Sequence, residues 1–213
     1  MRTEVVFDIG DVLVRWSPRR LYDRLIADAE ARDRFLAEIC PPEWNARFDA
    51  GEPMPEGVEA HAARHPAHAD LIRAWWSRWP EMLGPAIETS HACLNALKAK
   101  GARVHGLSNF AAETFEIARR MYPILDRFDV LVVSAHVKTI KPDPAIYEIL
   151  ERRTGAAPEA LYFIDDRPEN VAAARARGWR AHLFRGEAGL TQAMVEDGLL
   201  EPHELPLGTG DEA

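Results

Sequence analysis

Four short apolar runs each end in polar residues able to do chemistry. Asp8 follows residues 4–7, Ser108 and Asn109 follow 103–107, Ser134 follows 130–133 with Lys138 and Lys141 downstream, and Asp165 and Asp166 follow 161–164. In an open parallel sheet, ligands bind beyond the carboxyl ends of the strands, so these are the positions at which one site would be assembled. A lone Asp after a strand is more often a turn former or a helix cap. Carboxylates, a hydroxyl and a lysine delivered to one rim ask for more than that. Asp8 and Asp166, with a backbone oxygen near Gly10, are hard oxygen ligands of the kind Mg²⁺ takes while keeping room for water and a substrate phosphate. Such a cation offsets the repulsion between a carboxylate nucleophile and an anionic substrate. A carboxylate that attacks phosphorus forms an aspartyl-phosphate, which water then hydrolyses. Ser108, Asn109 and one lysine would meet the equatorial phosphoryl oxygens as charge spreads over them.

The elements that must position these residues follow from periodicity. Short β-branched runs at 4–7, 103–107, 130–133, 161–164 and 180–183 alternate with helical patterns at 88–100, 111–121, 144–153 and 168–177. That alternation predicts an α/β fold, a Rossmann-like parallel sheet with flanking helices. Gly101 and Gly178 stand just past helix ends rich in cations, and Pro168 suits a first helical position. Residues 15–83 show no strand pattern but carry helical stretches at 19–29, 31–39, 55–64 and 69–82, so they read as an α-helical cap inserted after the first strand. The core is then 1–14 with 84–200, and 201–213, with Pro202, Pro206, Gly208 and Gly210, reads as a loose tail.

The 213 residues, 47% hydrophobic and 28% charged, are enough for one core without disulfides or a structural metal. A net charge of −8 argues against a nucleic-acid partner, and no stretch of 18 apolar residues offers a membrane span. Cys40 and Cys93 lack ligand spacing and read as buried thiols in a reducing compartment, most simply the cytoplasm. A monomer or weak homodimer is expected.

The strings VVFDIGDVLV at 5–14, LSN at 107–109, KPDPAIY at 141–147 and FIDDRPENV at 163–171 resemble, in order and spacing, the four motifs of the haloacid dehalogenase superfamily. Within it the sequence is similar to the α-D-glucose-1-phosphate phosphatase-like group, which also reads Phe-Asp-Leu/Ile-Gly at the nucleophile. The resemblance implies a Mg²⁺-dependent phosphatase acting on a small phosphorylated metabolite, a sugar phosphate first of all. It makes Asp8 the nucleophile and a metal ligand, Gly10 a carbonyl ligand, Ser108 the second-motif hydroxyl with Asn109 beside it, and Lys141 rather than Lys138 the third-motif lysine. Asp166 becomes the metal-ligating acid, Asp165 an acid that helps hold the metal, and Asn170 the last polar position. Lys138 is then a solvated loop cation.

One position departs from the pattern. Phosphatases of the superfamily place a second Asp two residues after the nucleophile as general acid and base, and here Gly10 stands there. That group contributes about 10²–10⁴-fold. Asp11 is a possible substitute, although neighbouring side chains of an extended segment face opposite ways. The departure keeps two other readings open: a metal-independent 2-haloacid dehalogenase, and a non-catalytic or weakly active binding protein. Elsewhere, His61, His65 and His68 read as a solvated cap face and Trp75, Trp76 and Trp79 as cap core. Trp16 with Arg15, Trp44, Arg47 and Phe48 are candidates for the substrate side.

Overall fold

The computed structural model describes residues 3–205. The chain runs β1 (Glu4–Phe7), β2 (Val14–Trp16), α1 (Arg19–Leu25), α2 (Ala29–Arg34), α3 (Pro42–Asp49), α4 (Met54–Arg64), α5 (Ala69–Ser77), β3 (Leu83–Ala86), α6 (Glu88–Ala99) and β4 (Val104–Ser108). It continues α7 (Ala112–Met121), β5 (Val130–Val133), α8 (Ser134–Val137), α9 (Pro144–Thr154), β6 (Leu161–Asp165), α10 (Pro168–Ala176), β7 (Arg180–Leu183) and α11 (Glu187–Glu196). Five parallel strands form one sheet in the order β5-β4-β1-β6-β7.

Strand β1 is central because both of its faces are apolar. Val5 and Phe7 enter the core on one side and Val6 the core on the other, the period-2 alternation of a strand covered twice. Strand β6 repeats this, with Tyr162 and Ile164 on the first side and Leu161 and Phe163 on the second. On the second side Tyr147, Phe163 and Trp179 meet edge to face under α9 and α10. After β5 the chain crosses back over β1 to build β6. The loops after β1, β4 and β6 therefore diverge from a topological switch point, and a crevice opens above them.

The predicted sheet and most core helices are present, with Gly101 and Gly178 at φ of 72° and 92° past their helix ends. The sequence reading missed β2 and β3, an antiparallel pair of 3 and 4 residues. It also missed α3, which starts at Pro42, and α11. The helix expected over 69–82 stops at Ser77 and resumes as a 3₁₀ turn at Trp79–Met82, because Pro80 has no N–H to continue the ladder. Of the expected tail, Pro202–Glu204 forms a 3₁₀ turn whose Glu204 pairs with Lys100, and 206–213 lie outside the described residues. Among the described residues, no helix is long and apolar enough to cross a membrane.

The cap, α1 to α5, packs around Tyr22, Trp44, Phe48 and Trp75, and its apolar residues run on into the core on the first side of the sheet. Cys40 and Cys93 are both buried free thiols, as expected. His61 corrects the expectation of a solvated face: it is 8% exposed, its ring lies on Trp44, and its Nε2 is 2.6 Å from the Ile39 carbonyl oxygen.

Helices α3 and α4 touch at Gly57, where an added Cβ would stand 2.4 Å from the Phe48 ring. Gly57→Ala is therefore expected to cost about 1–3 kcal/mol by overpacking, outweighing alanine's better helix propensity. Urea unfolding would read this as a lower midpoint, and an unchanged midpoint would mean that the two helices separate freely.

Candidate active site

Asp8 stands at the carboxyl end of β1 and is 6% exposed. Its Oδ1 accepts the Ile9 N–H at 2.7 Å, and its Oδ2 lies 2.9 Å from the Lys141 ammonium. Lys141 has no slack. It also donates to the Leu107 carbonyl at 2.9 Å and to Asp165 Oδ2 at 2.6 Å, so three oxygens from β1, β4 and β6 take its three N–H groups. Burial works against the Lys141 ammonium, but Asp165 and Asp8 outweigh it and hold its pKa above the ordinary lysine value. Asp8 is pushed up to about 7, first by burial and then by Asp165, with Lys141 pulling the other way.

Asp165, fully buried, is saturated with donors. Besides Lys141 it accepts the Arg167 N–H at 2.8 Å and both contacts of the Asn170 carboxamide at 3.0 and 3.1 Å. Asn170 is fixed in turn, since its carbonyl takes the Tyr147 hydroxyl. Asp166 is half-buried and raised, chiefly by burial and then by Asp165. Ligand oxygens of Asp8, Asp165 and Asp166 all lie within 4.8 Å of one another. Three carboxylates so close, two of them with raised pKa, form a donor set that a hard divalent cation fits. Since Asp165 is already spoken for, Asp8 and Asp166 are the oxygens free to bind one.

These groups form the floor of a cavity of about 710 Å³ between core and cap. Ser108, Asn109, Gly10, Asp11 and Asn170 also border it, so most of the residues of the four motifs reach one place. Lys138 does not, and is exposed as expected. Two roles differ in detail from the expectation. The Asn109 carboxamide grips the Lys141 backbone at both ends, accepting its N–H at 2.7 Å and donating to its carbonyl at 3.0 Å, and so braces the lysine. Asp11, at φ 52°, turns Oδ1 toward the Trp16 N–H at 3.2 Å along the β2 strand. A Cβ built on Gly10 would meet nothing within 4 Å.

A family model for haloacid dehalogenase-like hydrolases matches residues 5–178, from β1 through α10. The chain belongs to the haloacid dehalogenase-like hydrolases. It is 28% identical over 179 residues to a sesquiterpene phosphatase, astK, of Aspergillus oryzae, covering 81% of this chain and 85% of that one. It is 27% identical over 216 residues to a phosphoglycolate phosphatase of Cereibacter sphaeroides, covering 95% of each. In fold it is similar to a family enzyme of Bacteroides thetaiotaomicron solved with magnesium and inorganic phosphate, with a TM-score of 0.67 at 19% identity over 87% of this chain and 96% of that one.

For this hydrolase the cap wall is what the sequence did not disclose. Of the aromatic and basic residues expected there, Trp16 borders the cavity, with an indole N–H that has no acceptor among the described residues. Trp44 and Phe48 are instead packed inside the cap, and Arg47 is exposed and paired with Glu52. Trp75 and Trp79 serve both the cap core and the wall. The residues missed include Leu36, Asn45, Asp49, Met54 and Phe110. Glu43, Arg167 and Glu169, also missed, border it as exposed charges, whereas Asp49 is a partly buried one. Removing the Lys141 brace with Asn109→Ala deletes two hydrogen bonds, an expected loss of about 1–3 kcal/mol in denaturant unfolding. A loss below that range would mean that the Lys141 loop holds itself.

Proposed function

We propose that this hydrolase is a Mg²⁺-dependent phosphatase that cleaves a small phosphate monoester through an aspartyl-phosphate on Asp8, and that its preferred leaving group is largely apolar. The observation that carries the first part is the arrangement of Asp8, with both oxygens oriented by the Ile9 N–H and Lys141, beside the metal-ready Asp166. Its orientation is set before substrate arrives, which converts binding energy into reaction rate. Asp8, Asp166 and the Gly10 carbonyl would hold Mg²⁺, with Asp165 acting through Lys141. Bound there, Mg²⁺ supplies charge neutralisation between the carboxylates and the phosphoryl group. Ser108 and the backbone amide beside it would meet the phosphoryl oxygens, while Lys141 holds Asp8 in place. Two relatives named as phosphatases support this reading. So does the fold neighbour solved with magnesium and phosphate.

The second part revises the sugar phosphate that the sequence suggested. Leu36, Met54, Trp75, Trp79 and Phe110 line the cavity above the carboxylates, a wall suited to hydrocarbon more than to a ring of hydroxyls. The sesquiterpene phosphatase relative is in keeping with that. The dehalogenase reading is less favoured, because the Asp165–Asp166 pair suits a cation and position 10 lacks the aromatic residue expected of such enzymes. The binding-protein reading rests on Gly10 alone.

Hydrolysis of a phosphate ester panel should require Mg²⁺ and vanish in Asp8→Asn, whereas chloride release from a 2-haloacid without metal would sink the proposal. Along a series of alkyl phosphates, kcat/KM should rise about fourfold for each buried methylene. A preference for sugar phosphates over that series would remove the apolar reading. Mg²⁺ binding needs Asp8 ionised, and its carboxyl titrates near 7 because burial raises it. A raised carboxyl stabilises the metal-free fold at low pH and loses that contribution as pH rises through about 7. The upward shift in Tm on adding Mg²⁺ should therefore be larger at pH 8 than at pH 5.5, and equal shifts would contradict it.

A further inference from the structure

The phosphatase reading leaves an alkoxide without a proton donor, because Gly10 contributes no side chain and Asp11 is turned along β2. The opposite wall supplies a carboxyl. Asp49 ends α3, where groups from the cap and from the core hold it. Asn45 donates to Asp49 Oδ2 at 3.2 Å and is itself fixed by the Trp75 indole N–H at 3.2 Å. The Ala111 N–H, from the loop after β4, donates to the same carboxyl. The Asp49 carbonyl takes the Ser134 hydroxyl at 2.6 Å, and that hydroxyl also accepts the Phe110 N–H at 2.9 Å. Asp49 thus borders the cavity on the cap side while its backbone is pinned to Ser134 and its carboxyl to the core loop that carries Ser108 and Asn109. Gly10 borders the same cavity, and a Cβ built there would meet nothing within 4 Å.

We propose that Asp49 is the acid and base of this enzyme, a role that rests on the phosphatase reading above. As the Asp8–phosphorus bond forms, the bond from phosphorus to the leaving oxygen breaks, and the Asp49 proton passes to that oxygen to release the alcohol. Water oxygen then bonds to phosphorus and the Asp8–phosphorus bond breaks. Asp49 takes the proton from that water, inorganic phosphate departs, and both carboxyl groups return to their starting states. Burial pushes the Asp49 carboxyl up to about 7, against the pull of the Ala111 N–H and Lys141, which suits a group that must both give and take a proton near neutrality.

Asp49→Asn keeps an oxygen for the Ala111 N–H and removes the proton. With Mg²⁺, its hydrolysis of an alkyl phosphate should fall about 10²–10⁴-fold, while the first-turnover burst of phenolate from para-nitrophenyl phosphate, whose release needs no protonation, should change less than about threefold and be followed by slowed turnover because water attack has lost its base. Gly10→Asp in the same protein, placed where a side chain meets no obstacle, should recover alkyl phosphate hydrolysis. Equal losses in the alkyl ester rate and in the phenolate burst would overturn the proposal in favour of a structural or binding role. So would an unchanged alkyl rate, or a selective alkyl loss in Asp11→Asn instead. A wild-type protein that hydrolyses neither ester would overturn the phosphatase reading itself, since the aryl ester needs no acid.

Discussion

A buried ammonium with three acceptors on three strands is the constraint on which the site depends. Lys141 bridges Asp8, the Leu107 carbonyl and Asp165, and so ties the ends of β1, β4 and β6 together. Desolvating a lysine and two carboxylates is expensive, and the arrangement holds only because every partner is itself held. Asn109 grips the Lys141 backbone, and Asn170 and the Arg167 N–H complete Asp165. Losing one member of such a set typically costs about 3–5 kcal/mol, since it strands the others in a dry interior. The same charge balance serves reactivity, because two acids against one base leave Asp8 short of cation.

Much of this was legible in the sequence because the parts lie next to their own strands. Asp8, Ser108 and the Asp165–Asp166 pair need only a correct strand end to be placed, and the apolar runs mark those ends. Lys141 was legible through its proline neighbour and its motif. Its partners were harder to foresee, because Asn109 could bind a phosphate or a backbone equally well until the loop after β5 is folded over it.

The cap was far less readable, and the reason is physical. The wall residues owe their position to contacts made across long separations, such as the Ser134 hydroxyl on a carbonyl 85 residues away. Helical periodicity tells which side of a helix is apolar, and both the cap interior and the cavity wall are apolar, so Trp44 and Trp75 look alike in sequence. Proline pairs hid α3, which begins at Pro42 after Pro41, and its short length gave little pattern to find. His61 shows the limit from the other direction, a polar residue drawn inside by one carbonyl and an aromatic neighbour.

The antiparallel pair β2–β3 has a wider consequence. Val14 sits opposite Ala86 and Trp16 opposite Leu83, so the helical insertion leaves and rejoins the sheet side by side through one small clasp. For the sheet, everything beyond that clasp is a single closed loop, and lengthening or exchanging a closed loop costs only slowly growing entropy. The fold therefore separates what must stay constant from what is free to vary. The set of Asp8, Lys141, Asp165 and Asp166 is anchored at the strand ends, and the insertion between the same two paired ends is free to present a different wall to it.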